Sequence, residues 1–212
     1  ISNPTALRWM VRQLLANAGT PFSINKFHRD LHSQGIAVSK ETLHAYLEYL
    51  EDAFLIEEAS RYDIKGKFYI GTPVKYYFMD MGLRNSRINY RQMEVTHSME
   101  NVIYNELRMR GFSVDVGNLT IVENSKDGTT IKKQLEVDFI CNKGSKKYYI
   151  QSAYILGTAE KMAQEIRPFL KINDSFKKIV ITSDTPKPFY SEEGILMMNV
   201  FDFLLNADSL DL

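Results

Sequence analysis

The run EVDFI at residues 136–140, followed after a short turn by KYYIQSAYI at 147–155, decides the fold of the second half of this chain. Both runs are rich in β-branched and aromatic residues, which is typical of neighbouring strands. Such a strand pair places Asp138 beside Gln151. A helix and four strands, then a helix, two more strands and a short terminal helix, predict an α/β sandwich.

This strand pair resembles the core of metal-dependent nucleases of the PD-(D/E)XK type. In those enzymes an aspartate on one strand and Glu-x-Lys on the next hold Mg²⁺ and orient the attacking water. A further glutamate often comes from the preceding helix. The resemblance implies a carboxylate set of Asp138, Glu136 on the same strand face, and Glu100 on the helix. It also implies Mg²⁺ as a candidate cofactor, with Glu100 and Asp138 as its candidate ligands.

Two motif positions depart from the nuclease pattern. Gln151 stands at the position of the second carboxylate, and an amide offers a metal only a neutral oxygen. Ala153 stands at the position of the lysine, so the cation is missing. In the simplest interpretation Glu100-Asn101 holds the start of its helix against the sheet. We therefore expect a catalytic set that is only vestigial: Glu100, Glu136, Asp138 and Gln151.

An active nuclease remains the alternative. Catalysis requires a positioned cation and does not fix its place in the sequence. A displaced lysine would then serve the site, and three lysines near the strand pair or on the following helix are candidates: Lys146, Lys147 and Lys161.

The first 80 residues show a different pattern. Asn3, Ser23 and Ser39 have the side chains that cap helices, and each precedes an apolar stripe with helical spacing. Short alternating segments follow them. Three helices and a β-ribbon predict a winged helix, a helix-turn-helix variant. The overall class is therefore α+β, divided into a winged-helix domain at 1–80, a linker at 81–95 and a restriction-endonuclease-like α/β domain with a mixed sheet at 96–212.

Charge limits where nucleic acid would bind. The chain has 26 basic and 26 acidic residues, so any such affinity must come from a local patch. The exposed positions predicted for the third helix are acidic on balance, which disfavours major-groove reading. Basic residues interleaved with tyrosines follow in the ribbon and linker, and such a surface could contact a nucleic-acid backbone or stack on bases. The alternative is an ordinary solvated ribbon without a nucleic-acid ligand. The candidate contacts are Arg61, Lys65, Lys67, Lys75 and Arg84.

Two features that the sequence lacks, a pair of cysteines and a long apolar run, bear on the cellular compartment of the protein. Cys141 is the single cysteine, so no intramolecular disulfide or cysteine-based zinc cluster can form. No apolar run approaches the roughly 20 residues that span a bilayer. We therefore expect a cytoplasmic protein without a membrane partner.

Longer runs carry a second resemblance. Residues 42–56, 61–67, 75–84, 100–107 and 165–167, with the Glu136 strand, are similar to the C-terminal region of a family of predicted bacterial and archaeal AAA+ ATPases. In that family a P-loop ATPase module precedes a winged helix and a domain of unknown function, and Gln is common at the position of Gln151.

This resemblance implies that the chain, which starts at Ile1, is a fragment whose parent protein binds ATP in a preceding module. The fragment itself needs no cofactor. Its expected partner is the AAA+ module, with nucleic acid and a second copy of the chain as further candidates. We expect a non-catalytic accessory region. An active nuclease and a winged-helix DNA-binding module are the alternatives.

Overall fold

The computed structural model describes the chain in three stretches, 1–89, 94–124 and 129–212. The contacts divide it into two compact units, and two strands run through both. The predicted boundary at 81–95 does not coincide with this division, because the tip of the β-ribbon belongs to the second unit, where the end of β2 pairs with β4. Unit 1 comprises Ile1–Ala59 and Gly71–Asn101, and unit 2 comprises Ser60–Ile70 and Val102–Leu212.

Unit 1 is built from helices and the ribbon. The side chains of Asn3, Ser23 and Ser39 accept hydrogen bonds from the amides of the first turns, which confirms the three predicted helix starts. Its elements in chain order are α1 Pro4–Ala16, β1 Pro21–Phe22, α2 Ile24–Ser33, α3 Lys40–Asp52, β2 Ile56–Asp63, β3 Phe68–Phe78, α4 Met81–Arg87 and α5 Val95–Met109, of which β2, β3 and α5 continue into unit 2.

The core of unit 1 lies between the three helices and the ribbon. Met10 and Leu43 are fully buried there, from α1 and α3 respectively. The two-residue strand β1 pairs antiparallel with β3, with Phe22 opposite Val74. This pairing attaches the segment between α1 and α2 to the ribbon, so the helices and the strands share one apolar core.

The predicted linker contains a packed helix. Asp80 caps α4 by accepting a hydrogen bond from the Leu83 amide. Arg84 is buried, and its Nε donates to the carbonyl oxygen of Leu15 at 3.2 Å. Residues 81–87 of the predicted linker therefore belong to the packed structure of unit 1. The linker residues 90–93 lie outside the described stretches.

Unit 2 is organised around a mixed sheet. The end of β2 runs parallel to β4, β4–β5–β6 are antiparallel, β6–β7–β9 are parallel, and β8 is antiparallel to β9. This sheet and the seven α-helices of the described stretches confirm the α+β class. The further elements are β4 Ser113–Asn124, β5 Thr130–Lys143, β6 Lys146–Ala153, α6 Ala159–Ile166, β7 Lys177–Thr182, β8 Phe189–Tyr190, β9 Leu196–Asn199 and α7 Val200–Leu205, with 3₁₀ turns at Phe169–Lys171 and Ser209–Asp211.

An irregularity in the β4–β5 pairing positions Asp138. Asp115 pairs with Ile140 but Gly117 pairs with Val137, so Val116 faces both Asp138 and the next residue. A Cβ on Gly117 would lie 2.9 Å from Cβ of Val137, which is too close for a side chain. The glycine therefore allows β4 to continue as one strand through a crowded position.

No helix in the three described stretches is both long and apolar enough to cross a membrane.

We predict that Gly117→Ala destabilises the protein by about 1–3 kcal/mol, because the added methyl group overpacks the β4–β5 contact. Urea denaturation at pH 7 measures the change. Gly71→Ala is the matched control, since a Cβ there meets no atom within 4 Å. The control should differ from the parent chain by no more than about 1 kcal/mol. Equal losses in both variants would contradict the steric explanation.

Candidate functional site

Asp138 and Gln151 meet where β5 and β6 separate. The ladder between these strands ends at the pair Phe139–Ile150. One step further, the Ser152 amide donates to Oδ2 of Asp138 at 2.8 Å, and the Asp138 amide donates to Oε1 of Gln151 at 3.4 Å. Side chains thus replace backbone pairing at this fork, and the expected neighbourhood of Asp138 and Gln151 is confirmed.

The fork extends to α6 through Glu165. Nε2 of Gln151 donates to Oε2 of Glu165 at 3.4 Å. Burial raises the pKa of Glu165, while the Gln151 hydrogen bond and the charge of Lys161 act in the opposite direction. Sequence reasoning quoted Glu165 within a family run but did not place it at the site. The only available signal was its position on an amphipathic helix that follows the strand pair.

The donor set in unit 2 does not fit Mg²⁺. This ion prefers octahedral oxygen ligands that include one or two ionised carboxylates. Oδ2 of Asp138 accepts a backbone amide, Oε1 of Gln151 accepts another, and Nε2 of Gln151 occupies the side facing Glu165. Within the stretches 1–89, 94–124 and 129–212, no three His, Cys, Asp or Glu residues form a group that could hold a metal ion. No catalytic step through a metal follows from this arrangement.

Glu100 belongs to unit 1, where two hydrogen bonds hold its carboxylate. Its Oε1 accepts hydrogen bonds from the Tyr77 hydroxyl at 2.6 Å and from the Lys75 ammonium at 3.0 Å. The adjacent Asn101 is fully buried, exchanging hydrogen bonds with the backbone of Phe78 at 2.9 and 2.7 Å. These contacts attach α5 to β3, as the structural interpretation of Glu100-Asn101 expected.

The remaining predicted acidic residue and the candidate lysines lie on β5, β6 and α6. Glu136 is half-buried on β5, opposite Asn118 of β4. Lys146 forms an ion pair with Asp211 at 2.6 Å. Lys147 stands four residues from Gln151 along an extended strand, or about 13 Å. Lys161 is exposed on the first turn of α6.

The candidate nucleic-acid contacts divide into two groups. Lys75 and Arg84 are each only 3% exposed, which corrects the prediction that they belong to a basic surface. Arg61 is half-buried on β2. Lys65 and Lys67 are exposed in the turn between β2 and β3, where the Gly66 amide donates to Asp63 at 2.6 Å. The exposed basic character predicted for the ribbon is therefore concentrated at its tip.

Comparison with known proteins gives relatives without an assigned activity. Residues 1–94 match a domain of unknown function (DUF8612). An uncharacterized protein from Haemophilus influenzae is 34% identical over 202 residues, which are 94% of this chain and 46% of that protein. Uncharacterized protein MJ1544 from Methanocaldococcus jannaschii is 29% identical over 200 residues, covering 91% of this chain and 40% of its own length. No solved structure matches significantly.

The chain spans less than half the length of either curated relative. Each match nevertheless covers more than nine-tenths of this chain and therefore includes residues of both units. Units 1 and 2 thus occur together in these longer relatives.

The raised pKa of Glu165 gives a testable pH dependence. Because the folded-state pKa lies above the unfolded one, the unfolded chain releases this proton first as pH rises, and stability falls over that interval. We predict that Glu165→Gln raises the urea midpoint at pH 7 and that its advantage disappears near pH 4, where the carboxyl is protonated in the parent chain. Glu192→Gln on an exposed turn is the control. If Glu165→Gln raised the urea midpoint equally at pH 4 and pH 7, the explanation by burial of the Glu165 carboxyl would be contradicted.

Proposed function

We propose that this chain is the non-catalytic C-terminal accessory region of an AAA+ ATPase, with a nuclease-like unit that binds and does not cleave. The observation that supports this most directly is the bridge made by Gln151. Its amide connects the Asp138 backbone to Glu165, at the place where a nuclease needs a second carboxylate and a metal.

The nuclease-like assignment of unit 2 rests on the fork and on the strand order around it. An antiparallel β4–β5–β6 segment joined to parallel β6–β7–β9 gives the mixed sheet expected from the motif, and α6 connects the two parallel strands β6 and β7. Ala153 is 3% exposed within an apolar cluster, so a side chain with a methyl group occupies the lysine position.

The winged-helix assignment of unit 1 is supported by its order of elements. A helix, a short strand, two helices and a ribbon follow one another, and β1 pairs with β3. The exposed face of α3 carries Glu41, Glu48 and Asp52 with a single lysine, Lys40. Such a surface repels phosphates, and it favours a protein partner over a DNA major groove. In the proposed protein this partner is the ATPase module.

The ATPase context accounts for the greater length of the relatives. Both are more than twice as long as the region that they share with this chain. The family resemblance of the quoted runs assigns that additional length to a P-loop module, which would bind ATP. In this proposal unit 1 extends the lid side of that module and unit 2 provides a binding surface.

We predict that the purified chain does not cleave single-stranded or duplex DNA or RNA in Mg²⁺ or Mn²⁺ above the level of an Asp138→Ala control. Gel analysis of end-labelled substrates measures the cleavage. Metal-dependent cleavage that disappears in Asp138→Ala would overturn the non-catalytic proposal and restore the active nuclease.

We also predict that Gln151→Glu creates a divalent-metal site. The substitution places a carboxylate between Asp138 and Glu165, and a cation relieves the resulting repulsion. Mn²⁺ should therefore raise the thermal midpoint of this variant by binding its folded state, and it should leave the parent chain unchanged. Gln134→Glu on the exposed part of β5 is the matched control. Stabilisation of the parent chain by Mn²⁺ that is lost in Asp138→Ala would contradict the donor-set argument.

A further inference from the structure

A cleft of about 480 Å³ opens on unit 2, away from the residues that form the fork. Its walls come from the ribbon tip, from β6 and from the segment that precedes β7. Its size falls within the range of pockets that hold small ligands or single nucleotides. The lining residues are Tyr62, Ile64, Lys65, Lys67, Leu119, Lys147, Tyr149, Lys171, Ile172, Asn173, Asp174 and Phe176.

The cleft is strongly basic although the chain as a whole is neutral. Four lysines line it, and Asp174 is the one acidic residue among the lining residues. Both carboxylate oxygens of Asp174 are engaged, Oδ2 by the Tyr149 hydroxyl at 2.6 Å and Oδ1 by the Phe176 amide at 3.2 Å. The carboxylate therefore shapes the wall of the cleft, and the excess of lysines makes the cleft attractive to anions.

Aromatic rings accompany these charges. The Lys147 ammonium lies 4.9 Å from the ring centroid of Tyr149 and 5.1 Å from that of Phe176. Phe176 is 41% exposed, and Tyr62 contributes a half-buried ring to the same cleft. A ligand that bears a phosphate and a planar base can thus contact a cation and a ring within one recess.

The geometry points to single-stranded nucleic acid as the ligand of this cleft. Lysines track a phosphodiester backbone, and exposed aromatic side chains stack on unpaired bases. In a duplex the base faces are stacked on one another, so they are not available to Phe176. The inference rests on the proposed function, because it specifies the ligand class that the non-catalytic unit binds.

The test measures fluorescence anisotropy of a labelled dT oligonucleotide with the 212-residue chain in EDTA, at low and moderate salt. We expect saturable binding that weakens as salt rises, by about 0.7 in log–log slope for each phosphate contacted. A duplex of the same length, free dTMP and inorganic phosphate are competitors. The single strand should compete best, since it alone joins several phosphates to unpaired bases.

The contribution of the cleft lysines is tested with the double variant Lys67→Glu/Lys171→Glu, in which both altered lysines are exposed. We expect this variant to bind the oligonucleotide at least about tenfold more weakly. Lys132→Glu/Lys187→Glu changes the net charge equally at exposed positions of unit 2 outside the cleft, and it should bind like the parent chain. Equal weakening in the two variants would overturn the assignment of the site, because it would show a general charge effect.

The contribution of base stacking is tested with Phe176→Ala, and Phe201→Ala is its control. Phe201 is 66% exposed and does not line the cleft. Loss of a stacked base should weaken binding about fivefold or more in the first variant only. Circular dichroism melts verify that each variant remains folded. If Phe176→Ala unfolds, Phe176→Leu keeps apolar volume and removes the ring, and it should also weaken binding.

The outcomes separate this inference from the proposed function. Absence of single-strand binding at low salt, or preference for the duplex or free phosphate, overturns the inference and leaves the non-catalytic proposal standing. Binding in EDTA followed by cleavage when Mg²⁺ is added supports the cleft and overturns the non-catalytic proposal.

Discussion

The separation of β5 from β6 at Phe139–Ile150 is the constraint on which the candidate site depends. An interrupted ladder leaves backbone donors that need partners, and leaving such groups unpaired costs free energy when they are buried. Asp138 and Gln151 supply those partners, so each has a structural task that would remain without any chemistry. On the other side of β5, the β4–β5 pairing is irregular at the same point, since two residues of β5 lie opposite Val116 beside the crowded Gly117.

The choice of an amide at position 151 has an electrostatic reason. Gln151 faces Glu165, whose pKa is already raised by burial. A second carboxylate here would add repulsion to desolvation, and a bound cation or a proton shared by the two carboxyl groups would have to compensate. The amide removes the charge, donates to Glu165 and accepts from Asp138. An uncharged side chain therefore connects β5 to α6 at this position by hydrogen bonds alone.

Sequence reasoning succeeded where the determining interaction is local. Asn3, Ser23 and Ser39 predicted helix starts correctly, because a capping side chain bonds to amides two or three residues away. Asp138 and Gln151 were predicted as neighbours because both flank one short hairpin. Arg84 was misplaced on the surface, since its partner is the Leu15 carbonyl, 69 residues earlier, and no local pattern reports that contact.

The cleft of unit 2 could not be predicted from the sequence for the same physical reason, namely that its residues come from distant segments of the chain. Lys147 ends up near Phe176 because β6 and β7 are parallel neighbours, and a parallel pairing joins segments that are distant in the chain. The ribbon tip adds Lys65 and Lys67 through the parallel contact of β2 with β4. Three separate segments thus bring positive charge to one recess of a neutral chain. Electrostatic attraction at such a recess is local and screened by salt, so affinity at physiological ionic strength depends on the aromatic contacts as well as on the charges.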